Sequence, residues 1–407
     1  MILRDKNIVA LDSDVSNYLP GFTLNNPYFP SKRFVTLRSL SSHLSGLPRN
    51  TPCFNYTGCA VPTVEMLTRM SSLPLMIPPY TIPAYSNLGI SLLGHALAAA
   101  ANNNPNPSTA LFVDLLQQEV LLPMGLTDTV FSLDQEQLTR VAYSSRQPPP
   151  PSPSPALSWD LPAGGLWSST ADILKYLQLL LSFVSASTQP TQSIVDPWTL
   201  REWVDQQLFV LPNGKTGSGM PWENKLHTDT WTNYKGGTGS GYTSGIWFAP
   251  SLNVGFTVLT ASQSEPYLSR EIAALIFPAV QKYLSQAEPR DYLPANYQAY
   301  LGTFATPDRS LSLTWIVRNQ SGYTFLALDV PTPPFPMLRL ISLDEQTSTA
   351  TFRATPYPLG VQRDACAELE GGLDFEYISF QLDTQGVATS LTIPGIIFQQ
   401  TAFRSNT

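Results

Sequence analysis

The sequence predicts an α+β protein: helices and a β-hairpin within residues 1–288, followed by an all-β domain over residues 289–407. Three observations carry this. Leu88, Leu92, Leu93, Ala96 and Leu97 recur at helical spacing. Residues 242–262 alternate as two strands around Pro250-Ser251-Leu252-Asn253. Helical periodicity stops between Pro289 and Tyr300, and short β-like runs separated by turns fill the remainder, as in a small barrel or sandwich.

In chain order, residues 1–50 read as a helix end, a loop and a short helix. One helix, roughly 62–72, stands in a loop-rich stretch. The helix from Ser86 to about Ala101 stops at Asn102-Asn103-Asn104-Pro105. A further helix over 108–121 precedes Pro123-Met124-Gly125-Leu126. The Pro148–Pro155 run of proline and serine reads as an exposed polyproline-like connector. Ser169 or Thr170 can cap a helix that runs to about Phe183. Strands are expected over Tyr242–Phe248 and Val254–Ala261, then a helix from Tyr267 to Ser285. The tail offers strands at Leu311–Val317, Tyr323–Asp329, Ala350–Ala354, Phe375–Leu382 and Ala388–Ile393. No internal repeat is visible.

Composition narrows the function. Of 407 residues, 43 % are hydrophobic, enough for a sizeable core. Thirty acidic against 23 basic residues give −7, so no basic surplus exists to neutralise nucleic-acid phosphates. No stretch approaches the ~18 apolar residues of a membrane span. Charges stand at once behind Met1, unlike a signal peptide, and a soluble chain without an address is expected. Cys53, Cys59 and Cys366 cannot build a disulfide framework or a zinc site, although Cys53 and Cys59 can close one short loop in an oxidising compartment. Asn55 and Asn319 head glycosylation sequons, a weak signal. His43, His95 and His227 have no partner at metal spacing, and no metal or cofactor is expected.

Two segments can carry chemistry. Tyr85-Ser86-Asn87 opens the long apolar helix, where a tyrosine lies near the positive end of the helix dipole and Asn87 offers a donor and an acceptor. The plain alternative is a helix cap. Lys235-Gly236-Gly237-Thr238 stands just ahead of the Tyr242 strand, placing a cation and approachable backbone N–H groups together, as an oxyanion hole requires. Here the plain alternative is a glycine-rich turn. Lys215-Thr216-Gly217 matches the letters K-T-G better, but Pro212-Asn213-Gly214 marks it as turn with no strand directly following, so Lys235 is preferred.

Together these segments resemble the serine β-lactamase-like family of penicillin-binding proteins, class C β-lactamases and related esterases. Thr36–Pro48 resembles the family segment TLRHLLTHTSGLP, Tyr85–Gly89 its YSN block and Pro123–Thr129 its P-L-G-M-x-D-T segment. Ala163–Asp172 resembles A-G-G-L-x-S-T-x-x-D, and Lys235–Ser244 the K-T-G strand, here K-G-G. Gly219–Glu223 and the β-rich tail resemble a fungal branch, whose setting is often secondary-metabolite biosynthesis.

The resemblance implies a β-lactamase/transpeptidase-like fold: an antiparallel sheet flanked by helices. It also implies that Tyr85 is the general base, that Asn87 binds an ester or amide carbonyl, and that Lys235 sits beside the phenol and attracts a substrate carboxylate. The Gly237–Thr238 backbone would supply half of an oxyanion hole. The family nucleophile is the serine of S-x-x-K, and none of the seven lysines has a serine three residues before it. Ile8–Phe22 resembles the segment that follows the nucleophile helix, so the chain is expected to begin after that helix, leaving a sheet edge open to self-association. Two functions follow: a serine hydrolase or acyltransferase scaffold acting on a small ester or amide, or a catalytically silent relative that binds a small molecule or serves as a scaffold.

Overall fold

The computed structural model describes residues 1–29, 35–50, 52, 60–143, 158–182, 194–205, 207–228, 230–239, 241–262, 265–287, 293–294, 296–310, 312–320, 323–329, 338–345, 348–356, 377–393 and 400–405. Asn55, the three cysteines and the Pro148–Pro155 run lie outside these residues. Two compact units are present, Met1–Ser285 and Gln286–Thr407.

In the first unit the helices are α1 (Ile2–Asp5), α2 (Leu37–Ser41), α3 (Thr63–Met70), α4 (Asn87–Asn102), α5 (Thr109–Leu116), α6 (Gln135–Leu138), α7 (Thr170–Leu181), α8 (Pro197–Asp205) and α9 (Glu265–Ala287). One antiparallel sheet runs in sequential order: β1 (Phe209–Val210), β2 (Thr216–Ser218), β3 (Glu223–His227), β4 (Thr230–Gly239), β5 (Tyr242–Ala249) and β6 (Val254–Thr260). Tyr234, Trp247, Ala273 and Phe277 pack α9 against the sheet.

The long helix α4 forms where its residues require it. The Ser86 hydroxyl accepts the Gly89 N–H at 2.8 Å, filling one of the four orphan donors at the N-terminus. Asn103, in the left-handed conformation at φ 47°, ends it. Leu88, Leu92, Ala96 and Ala99 enter a core shared with Leu37, Leu40, Met66 and Trp159. The helix after Ser108 continues beyond α5 as a π-turn over Gln117–Leu121.

Two expectations need correction. Lys215 does lie beside a turn, but Thr216–Ser218 then forms β2, paired with both β1 and β3, so a strand follows at once. Lys235-Gly236-Gly237, expected just ahead of the Tyr242 strand, lies inside a strand of its own, β4, which excludes the glycine-rich turn given as the plain alternative; Lys235 stands opposite Ile246 and Gly237 opposite Ser244. Strands β3 and β4 carry no clear apolar alternation, because polar residues occupy buried positions on them. Asn224 on β3 donates to Asn233 on β4, and Asn233 donates to the Val204 carbonyl of α8.

The second unit is a closed eight-stranded antiparallel barrel. Its strands are β7 (Gly302–Ala305), β8 (Ser312–Gln320), β9 (Tyr323–Leu328), β10 (Leu338–Glu345), β11 (Thr349–Pro356), β12 (Tyr377–Leu382), β13 (Ala388–Ile393) and β14 (Gln400–Arg404). Closure comes from β14 pairing with β7 and β9 with β10. Tyr300, Phe304, Trp315, Phe352 and Phe380 fill its interior with edge-to-face contacts, a packed core. Asn319 is exposed on β8 opposite Thr324. No described helix is long and apolar enough to cross a membrane.

Candidate active site

Folding brings the two chemical segments together across 150 positions. Tyr85 stands just ahead of the α4 N-cap, half-buried, and Lys235 projects from β4 toward it. The Lys235 Nζ donates to Tyr85 Oη at 3.4 Å and to the Gly236 carbonyl at 2.7 Å. It also lies 5.0 Å from the centre of the Tyr85 ring. Its nearest carboxylate, Glu223, is 3.9 Å away and half exposed. Lys215 forms no such contact among the described residues, so the geometry selects Lys235.

Beyond Tyr234 the β3 register ends, and Lys235–Gly239 pair with β5 on one side only. Gly237 and Thr238 are exposed on this free stretch of strand. In an antiparallel strand consecutive residues turn their N–H and C=O to opposite sides, so one of Gly237 and Thr238 bonds toward β5 and the other offers its backbone groups at the free edge. A Cβ on Gly237 would meet the Ser244 hydroxyl at 2.7 Å, and one on Gly236 the Tyr234 hydroxyl at 2.2 Å. The Ser244 hydroxyl can rotate away from a Cβ on Gly237, whereas one on Gly236 meets the buried Tyr234 ring, so Gly236 is the more constrained of the two.

On the other side stands the loop after α2. The Pro48 carbonyl accepts the Ser86 hydroxyl at 2.7 Å, and the Arg49 carbonyl accepts the Asn87 N–H at 2.8 Å. Asn87 Nδ2 donates to Asn50 Oδ1 at 3.1 Å. Asn87 is thereby oriented by its neighbours, with its own carbonyl oxygen left for other donors among the described residues.

Sequence reasoning passed over His43. Its ring lies 4.4 Å from the Tyr85 ring, and its Nδ1 accepts the Ser86 N–H at 3.2 Å. That bond places the proton on Nε2, making a neutral imidazole. Burial, then the charges of Lys235 and Arg49, push its pKa down to about 4. Nε2 is buried with no partner among the described residues. The signal available beforehand was its place in the Thr36–Pro48 block, but nothing in a one-dimensional pattern sets a histidine against a tyrosine 42 positions on. His95, by contrast, is structural: it is fully buried, stacked on Trp159 at 4.5 Å, and its Nε2 contacts the Trp159 carbonyl at 3.0 Å.

A tyrosine flanked by a lysine, an asparagine and a free strand edge is an acid–base and carbonyl-binding arrangement. The Beta-lactamase family model matches residues 1–281. The chain belongs to the Beta-lactamase family. The chain is 30 % identical over 311 residues to Beta-lactamase-like protein 2 of Dictyostelium discoideum, a match covering 72 % of this chain and 52 % of that protein. It is 26 % identical over 268 residues to the D-alanyl-D-alanine-carboxypeptidase/endopeptidase AmpH of Escherichia coli K12, covering 64 % of this chain and 66 % of that one. The chain thus spans about half to two thirds of the length of these curated relatives. Among solved structures, a Beta-lactamase/D-alanine Carboxypeptidase from Yersinia pestis complexed with citrate aligns with TM-score 0.51 and 25 % identity, over 64 % of this chain and 73 % of that one. An octameric penicillin-binding protein homologue from Pyrococcus abyssi aligns over 99 % of this chain and 84 % of its own, with TM-score 0.52 and 16 % identity, a likeness of fold. The beta-lactamase domain is accordingly a serine-hydrolase scaffold in which Tyr85 and Lys235 meet.

Proposed function

We propose that the beta-lactamase domain binds a small-molecule ester or amide between Asn87 and the Gly237–Thr238 strand edge, with Tyr85 moving the proton in hydrolysis or acyl transfer. The contact between Lys235 Nζ and Tyr85 Oη supports this most directly, because it places a cation from the strand with the free edge beside a phenol that stands at a helix N-terminus. Tyr85 accepts a proton from an attacking hydroxyl and returns it to the leaving group. The Thr238 N–H stabilises the charge that develops on the carbonyl oxygen. Lys235 attracts a carboxylate on the departing portion. AmpH is named a D-alanyl-D-alanine-carboxypeptidase/endopeptidase and the Yersinia protein a Beta-lactamase/D-alanine Carboxypeptidase, which makes D-alanine amides and β-lactams the first compounds to test.

No Ser-x-x-Lys occurs in these 407 residues. That observation favours a second reading, a ligand-binding protein that does not turn its ligand over.

One experiment separates the two. The purified chain is incubated with a fluorescent penicillin and, in parallel, with a fluorescent fluorophosphonate. Stable labelling of a serine supports the hydrolase, and Tyr85→Phe is then expected to slow labelling by about 10²- to 10⁴-fold. Saturable, reversible binding without a covalent adduct supports the ligand-binding protein, with affinity weakened in Lys235→Ala. Absence of both labelling and binding overturns the two readings together.

A further inference from the structure

We propose that Arg49 forms an anion subsite on the Asn87 side of the site, so that the favoured ligand carries a carboxylate on its acyl portion. This rests on the ester- or amide-binding site proposed above, which defines the acyl portion as the part held at Asn87.

Three features of Arg49 lead here. Its backbone is fixed: the carbonyl accepts the N–H groups of Asn87 at 2.8 Å and Leu88 at 3.3 Å, and the next residue holds the Asn87 amide. Its side chain is exposed, with the guanidinium carbon 5.0 Å from the centre of the Tyr85 ring. Among the described residues no carboxylate pairs with it, although the protein carries 30 acids against 23 bases. Several other arginines show the contrast: Arg38 is matched to Asp12, Arg140 to Asp128 and Arg318 to Asp329.

An arginine resting on a tyrosine face uses its π-surface and leaves its N–H edge available. Five donors in a planar fork match a carboxylate bidentately. Lys235 already serves the strand side, so a second cation beside the same ring gives the site two separated positive points. Their combined field reaches His43, whose pKa both charges depress. A ligand with one carboxylate near Lys235 and a second on its acyl group would satisfy both cations.

Benzylpenicillin and carbenicillin test this directly, because they differ only by a carboxylate on the benzylic carbon of the acyl side chain. Dissociation constants are measured by calorimetry in low salt for the full chain and for Arg49→Gln and Arg49→Lys. The wild-type protein is expected to bind carbenicillin about 3- to 10-fold more tightly. The preference should shrink in high salt, fall to one in Arg49→Gln and survive in part in Arg49→Lys. Equal affinities in the wild type overturn the subsite while leaving the proposed function standing. So does a preference that persists in Arg49→Gln. If both substitutions abolish binding of both penicillins, Arg49 only supports the Tyr85 ring, and the subsite is again overturned. If neither compound binds the wild type, the proposed function fails along with it.

Discussion

Lowering the pH from 7 to about 4.5 is expected to remove roughly 5 kcal/mol of stability from the Met1–Ser285 unit, through His43 and His95. Both imidazoles are buried, at 4 % and 0 % exposure, and both are pushed down to about 4, chiefly by burial. In the unfolded chain they titrate near the ordinary histidine value of about 6.5. Between those values the unfolded state binds protons that the native state does not, so stability rises with pH across the window and falls as acid is added. Each histidine contributes up to about 3 kcal/mol when the window is fully crossed. His227, shifted in the same direction by burial and Lys225, adds to the trend. Asp12 and Asp128, held below the usual carboxylate range by Arg38 and Arg140, act in a separate and lower window. Urea midpoints read from tryptophan fluorescence at pH 7 and 4.5 measure the effect. The doubly substituted His43→Gln, His95→Gln protein should show a flatter limb. Coincident wild-type midpoints at the two pH values would falsify the idea that burial holds these rings neutral.

Gly46→Ala is expected to cost about 3 kcal/mol or more and to disturb the site as well as the fold. Gly46 adopts φ +74°, which L-residues rarely take, and a Cβ there would stand 2.2 Å from the Ile77 carbonyl oxygen. The contact cannot relax by rotating a side chain, because the obstacle is backbone. The same glycine's carbonyl accepts the Met76 N–H at 2.8 Å, which ties the two segments face to face. Pushing them apart displaces the loop that carries His43, Arg49 and Asn50 against Tyr85 and Asn87. Gly125→Ala is the internal comparison: its φ is +62°, but nothing lies within 4 Å of the added carbon. That substitution pays only the backbone strain, about 1 kcal/mol. Thermal or urea denaturation of the two variants separates conformational strain from collision. Equal destabilisation would mean that the approach of Ile77 to Gly46 is not a constraint.

Much of the scaffold was readable from local pattern. The Ser86 cap, the apolar stripe of α4 and the Asn103 stop are written within one stretch of chain, and the hairpin around Asn253 is signalled by its own turn residues. Strands β3 and β4 were not, because buried positions there hold Asn224, Thr232 and Asn233, whose bonds to one another and to the Lys225 carbonyl form only once the sheet exists. Three barrel strands, at Gly302, Leu338 and Gln400, also escaped, since short strands with mixed faces leave weak alternation.

Tyr85, Asn87 and Lys235 were nameable as candidates because each sits in a short pattern with its own chemistry: a helix entrance and a lysine followed by glycines. Their partnership was not nameable in the same way. A 3.4 Å contact between residues 85 and 235 exists because the N-terminus of α4 and one strand of a six-stranded sheet converge, and no local propensity records that convergence. His43 and Arg49 belong to the same class. Their contribution is the electrostatic environment of a phenol ring, and such an environment is a sum over distances that only the folded chain sets.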